Sequence, residues 1–164
     1  MITFRGAKMP QGEAPEQDEA RSEAMAGLDL VTGQTATRSM QVTREQVLSY
    51  AEMSGDHNPL HFDEDFVRRT TFGRLVAHGG ITTGILHALV AEDMPGPGTV
   101  FLSQNWKFTA PVFIGDTITA TAEVVSVHES KPVCALSVRV ERDDGETVLA
   151  GEAWCYRFLV GEAR

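Results

Sequence analysis

The stretch from Gly79 or Gly80 to Asp93, GGITTGILHALVAED, holds no Asp, Glu, Lys or Arg before Glu92. Its spacing predicts a helix, with Ile81, Ile85 and Leu89 on one face and Leu86 with Val90 on the adjoining one. A helix that is apolar on most sides must be buried. Whatever this chain folds into therefore has to wrap a helix. Gly80, Thr83, Gly84, His87 and Ala91 form a narrower stripe of mostly small residues, which would let another backbone or a ligand chain approach closely. Met94-Pro95-Gly96-Pro97-Gly98 then stops the helix.

Everything after Gly98 reads as strand: Thr99 to Phe108, Asp116 to Val127, Val133 to Glu141 and Thr147 to Leu159, separated by turns bearing Pro or Gly. In the third of these, Cys134, Leu136, Val138 and Val140 alternate with Ser137, Arg139 and Glu141. Asp143-Asp144-Gly145-Glu146 signals a hairpin turn, and the phase slip at Val124-Val125 signals a bulge or strong bend. One buried helix followed by antiparallel strands is an α+β architecture, and a single curved sheet around the helix would shield its several apolar faces.

Upstream, Thr35 to Val42 suits a strand. Thr43 and Gln46 fit a capping box opening a helix from Arg44 to about Met53. Ser54-Gly55-Asp56-His57-Asn58-Pro59 must break that helix, and Asp63 to Arg69 can make one or two further turns. Residues 1–27, with Pro10, Gly12, Pro15 and an acidic stretch, have too few apolar groups to offset ordering entropy and are expected to form a flexible leader to a domain of residues 28–164.

The 164-residue length predicts one domain, large enough to need no disulfide or metal staple. A net charge of −9 argues against general nucleic-acid binding, which needs a basic face. Two cysteines, Cys134 and Cys155, make neither a disulfide framework nor a four-ligand zinc site, and they suit a reducing compartment. No apolar run reaches the length of a membrane span, and the N-terminus lacks the apolar stretch of a signal peptide. A cytoplasmic location is the expectation.

Chemistry concentrates in Ser54-Gly55-Asp56-His57-Asn58-Pro59-Leu60-His61. By residue type alone it reads equally as a capping loop or as a functional loop, and it matches no standard metal-ligand spacing. Here the sequence becomes recognisable. Tyr50 to His61, YAEMSGDHNPLH, resembles the hydratase-2 signature of MaoC-like (R)-specific enoyl-CoA hydratases. The similarity continues through Ala77-His78-Gly79-Gly80, Pro95-Gly96-Pro97-Gly98 and Ala110-Pro111-Val112-Phe113-Ile114-Gly115-Asp116, and so covers about Leu28 to Phe158.

The resemblance implies a hot-dog fold, an antiparallel sheet around the long helix, paired into a homodimer across a continuous sheet. It implies reversible hydration of a (2E)-enoyl-CoA to the (3R)-3-hydroxyacyl-CoA, with no metal or redox cofactor. The alternatives are a 3-hydroxyacyl-thioester dehydratase acting on acyl carrier protein or on a branched or dicarboxylic acyl-CoA, and an acyl-CoA thioesterase. Asp56 and His61 match the catalytic pair. Water addition asks for such a pair, because one group must take a proton as oxygen attacks C3 and another must deliver one to C2. Gly79 matches the glycine whose N–H holds the thioester oxygen at a helix N-terminus. Asn58 is read as orienting the pair, or as a turn residue. Gly80 stands where relatives carry a larger apolar residue, which would either widen the acyl cavity or relieve helix–sheet packing. His87 replaces a serine of some relatives and would favour short or polar acyl groups if it faces the cavity. Lys107 is a candidate for a coenzyme A phosphate, as are Arg68, Arg69 and Arg74. His78, Cys134 and Cys155 read as packed structural residues, and Trp106, Phe108, Trp154 and Phe158 as core.

Overall fold

The computed structural model describes residues 28–158, so the expected leader lies outside the described residues. Five strands form one antiparallel sheet: β1 (Thr35–Gln41), β2 (Thr99–Phe108), β3 (Thr117–Val127), β4 (Val133–Arg142) and β5 (Thr147–Arg157), in the order β1-β3-β4-β5-β2. The helices are α1 (Arg44–Ser54), the short α2 (Glu64–Val67) and α3 (Gly79–Ala88), which runs on as a π-helical turn over Leu89–Asp93. This is the α+β, hot-dog arrangement, with α3 lying on β3, β4 and β1.

Alternation builds the core. Ile118, Ala120, Ala122 and Val124 on β3 and Cys134, Leu136, Val138 and Val140 on β4 all point inward and are buried. They meet Ile81, Ile85, Leu86, Leu89 and Val90 of α3, none more than 7% exposed. The register of β3 on β4 slips between Val124 and Ser126, leaving Val125 exposed, as the broken pattern predicts. Cys134 lies opposite Cys155, both free and buried. A hydrogen bond with Cys134, helped by burial, raises the Cys155 thiol pKa, which suits packed residues rather than reactive ones.

The capping box forms as read: Thr43 Oγ1 accepts from Gln46 N (3.3 Å), and Gln46 Oε1 accepts from Thr43 N (2.9 Å). Gly55, in the left-handed conformation, closes α1. No helix among the described residues is long and apolar enough to cross a membrane.

One expectation needs correction. Phe108, Trp154 and Phe158 are not core: they are 56%, 46% and 58% exposed, while Trp106 is half-buried. Phe108 stands on the edge strand β2, Phe158 follows the end of β5, and Trp154 lies on the sheet face away from α3. The small-residue side of α3 is also uncovered, with Gly84 and His87 exposed.

β2 is held to β5 by unusually close backbone approach. A Cβ on Gly151 would overlap the Asn105 carbonyl oxygen and lie 2.5 Å from Trp106 Cα. Because backbone cannot swing aside as a flexible side chain can, Gly151→Ala is expected to cost about 1–3 kcal/mol in urea unfolding. Unchanged stability would show that β2 yields freely.

Candidate active site

The loop after α1 turns on its own side chains. Ser54 Oγ accepts from Asp56 N (3.2 Å), Asp56 Oδ1 from Asn58 N (3.1 Å), and Asn58 Oδ1 from Leu60 N (3.0 Å). The last bond caps the 3-10 turn Pro59–His61, in which Pro59 supplies a preset φ. Asn58 is therefore a turn residue by its side chain, and it steadies Asp56 through its backbone amide.

That turn delivers His61 to the core edge, 9% exposed. Its Nδ1 lies 2.7 Å from the Val76 carbonyl, so Nδ1 carries the proton and Nε2 is left as the free ring nitrogen. His61 Nε2 stands 3.8 Å from Asp56 Oδ2. This is too long for a hydrogen bond but short enough for one oxygen atom to touch both groups. Asp56 stays half-exposed, so solvent reaches the gap.

His78 ties these parts together. Its ring stacks on His61 with centroids 3.7 Å apart, and its Nε2 donates to the Asp56 carbonyl at 3.0 Å. It is 1% exposed, and its Nδ1 has no partner. Asp56, His61 and His78 lie close enough to suggest a metal triad, yet the geometry disfavours one. His78 Nε2 is spent on a carbonyl, and two stacked imidazoles cannot aim their nitrogens at a common ion.

His78 is also the N-cap of α3. Among the described residues, the amides of Gly79 and Gly80 find no acceptor, as expected for the first turn of a helix. Gly79 and His61 line one cavity of about 420 Å³, with Phe108 and Val112. A Cβ at Gly79 would sit 3.2 Å from the Phe108 ring, so the glycine also makes room for that aromatic wall. The strand-like segment before α3 is pinned by Ala77 N to Val112 O (2.7 Å) and Val76 N to Leu60 O (3.0 Å).

A larger cavity, about 670 Å³, lies between α1, β1 and α3 and is lined by the stripe Gly80, Thr83, Gly84 and His87 together with Tyr50. Gly80 thus borders a cavity and serves packing too, although of helix on helix rather than helix on sheet. His87 faces this cavity, but its Nε2 is 3.0 Å from Gln104 Nε2 on β2, so part of its hydrogen-bonding capacity is satisfied before any ligand enters. Lys107 is exposed on the face of β2 opposite Trp106 and Phe108, away from Gly79. Arg68 is engaged by Glu64 and Asp65, and Arg74 by Asp116 (2.9 Å), while Arg69 is exposed.

Residues 30–146 match the MaoC like domain family, and the chain belongs to that family. It is 36% identical to the (R)-specific enoyl-CoA hydratase of Aeromonas caviae over 129 residues, 79% of this chain and 96% of that one. It is 38% identical to the 3-hydroxybutyryl-CoA dehydratase of Methylorubrum extorquens over 125 residues, 76% of this chain and 79% of that protein. The solved structure of the A. caviae (R)-hydratase superposes with a TM-score of 0.75 at 35% identity, covering 79% of this chain and 98% of its own.

Sequence reasoning singled out Asp56, His61 and Gly79 and read His78 as a packed histidine, with no part in positioning the loop. The signal available was its position directly before the apolar helix. His78→Phe keeps an aromatic ring on His61 and removes the donor to Asp56. The unpaired carbonyl is expected to cost about 1–3 kcal/mol in stability. With the loop loosened, kcat should fall while KM changes little; an unaltered kcat would reduce His78 to packing.

Proposed function

We propose that this protein catalyses the reversible syn addition of water to a (2E)-enoyl-CoA, giving the (3R)-3-hydroxyacyl-CoA. The observation that carries the reading is the 3.8 Å gap between His61 Nε2 and Asp56 Oδ2, beside a cavity that His61 shares with the unpaired amide of Gly79. Water in that gap would donate to one group and be oriented by the other. As its oxygen bonds to C3, the C2=C3 π electrons move toward C1 and charge grows on the thioester oxygen. The Gly79 N–H, at the positive end of α3, offers that oxygen a donor which needs no reorganisation. The proton taken from water is then returned to C2. Because one pair handles both transfers, hydrogen and hydroxyl arrive on the same face.

Addition of water is redox-neutral, and the two side chains with one amide meet its needs, so the reaction calls for no metal or redox cofactor. The same geometry run backward dehydrates a 3-hydroxyacyl thioester, the activity for which the mitochondrial 3-hydroxyacyl-[acyl-carrier-protein] dehydratase of Arabidopsis thaliana, 30% identical over 127 residues, is named. We place the reaction in the cytoplasm, where the free Cys134 and Cys155 stay reduced.

The assembly we propose is a homodimer. β2 is an edge of the sheet, and it exposes Val100, Leu102 and Phe108 beside unpaired backbone groups. A second copy adding its own β2 would satisfy both. Light scattering at assay concentration should give twice the chain mass; a fully active monomer would count against the pairing.

The reaction is tested with crotonyl-CoA, followed by loss of enoyl absorbance, by release of thiol and by the configuration of the product. The expected result is a 3R alcohol without free thiol, whereas thiol release with the double bond intact would mean a thioesterase. Asp56→Asn and His61→Ala should each lower kcat by at least about 10²-fold. Since both act on one water, the double variant should be little worse than either. Multiplicative losses would separate the two groups into different steps.

A further inference from the structure

The larger cavity has one wall built in a way that the hydration chemistry does not require. Tyr50 reaches from α1 to α3 and lays its phenol where any side chain at position 80 would have to be. A Cβ on Gly80 would overlap Tyr50 Oη and Cζ and lie 2.5 Å from Cε2. The two residues are thus one object: only glycine at 80 admits the ring, and the ring fills what glycine leaves. On its other side the phenol packs at 4.8 Å on His78, the ring that stacks on His61. Tyr50 therefore stands between the catalytic loop and the 670 Å³ cavity, which it lines.

Tyr50 is half-buried, and its hydroxyl makes no side-chain hydrogen bond among the described residues. The hydroxyl is not sealed from solvent, so water satisfies it until a ligand displaces that water. The hydroxyl lies over Gly80, one residue along the backbone from the amide assigned to the thioester oxygen. A chain whose thioester is held by that amide and whose tail enters the larger cavity has to pass the hydroxyl. The cavity continues with further polar groups, Gln46 and Ser49 from α1, Thr83 and His87 from α3 and Ser39 from β1, set among Met40, Ile81 and Ile85.

We propose that Tyr50, seated on Gly80, is a specificity-determining residue that selects acyl chains bearing a hydrogen-bonding substituent, a hydroxyl, carbonyl or carboxyl, over plain alkyl chains of the same length. This rests on the reading of the protein as an enoyl thioester hydratase. The physical basis is that an alkyl chain drawn past the phenol strips its water and leaves the hydroxyl unpaired, while a polar chain replaces that water. Sites built to hydrogen-bond a substituent reject its absence more strongly than apolar pockets reject a hydroxyl. Arg38 is not counted in this selection. It is turned to Asp93, Nε to Oδ2 at 2.7 Å and Nη2 to Oδ1 at 3.0 Å, and its hydrogen bonds hold the Asp93 carboxyl below its usual pKa.

The test compares kcat/KM for 2-hexenoyl-CoA and 6-hydroxy-2-hexenoyl-CoA in the wild-type protein and in Tyr50→Phe, which removes one oxygen and keeps the ring on Gly80. The wild type should prefer the hydroxylated chain by about tenfold or more, and Tyr50→Phe should erase most of that preference. Gly80→Ala, in which the ring must move although the hydroxyl is present, should erase it too. A wild type without preference, or a Tyr50→Phe protein that keeps the wild-type ratio, overturns the proposal while leaving the hydratase reading intact. A folded wild type that hydrates none of the enoyl-CoA esters, crotonyl-CoA included, overturns the hydratase reading and this inference with it.

Discussion

The burial of α3 is the constraint on which the rest of the structure depends. A helix with so little charge is stable in water only when covered, and the inward residues of β3 and β4, with β1 alongside, cover its apolar side. This placement has a chemical consequence at the helix end. The first amides of the helix have no intrahelical acceptor, and at Gly79, which is exposed, they are open to a ligand oxygen at the positive end of the helix. The same packing that stabilises the fold thus presents the donor.

Asp56 and His61 are held near the start of α3 through backbone bonds rather than through a dedicated scaffold. Val76 gives its amide to Leu60 and its carbonyl to His61, and Ala77 is tied to Val112. The Val112 segment is in turn fixed by Asp116, which accepts from Phe113 N and pairs with Arg74. A loop from one side of the molecule and a helix start from the other are therefore held in one register. The three-ring column of Tyr50, His78 and His61 fills the space between them. What the loop gains from this is orientation without burial of Asp56, which keeps its access to solvent.

Much of this was legible in the sequence because it depends on local rules. Capping by Thr43 and Gln46, alternation on β4, the slip at Val124 and the break at Gly55 each involve neighbours within a few positions. The Asp56 and His61 pair was legible for the same reason, being five positions apart in one turn. The errors share an opposite cause. Phe108, Trp154 and Phe158 were assigned to the core from residue type, but their exposure is decided by which strand lies at the edge and which face looks outward. The fit of Tyr50 to Gly80 joins residues thirty positions apart on different helices, and no period or motif announces it. The bond of His87 to Gln104 is equally non-local. Asn58 was read both ways, and its side chain follows the local rule.

The π-helical turn at the end of α3 has a consequence for phase. In a continuing α-helix, the residue beneath Leu89 on the buried face would be Asp93, four positions on. The wider turn passes that place to Met94, whose amide donates to the Leu89 carbonyl at 2.9 Å and which is 2% exposed. A single extra residue per turn thus advances the helix by one step. It exchanges a carboxylate for a thioether at the floor of the core and swings Asp93 out to β1, where Arg38 receives it. A regular α-helical end would have to bury an acid or lose its last turn, so the irregularity is what lets an apolar helix finish in a charged residue.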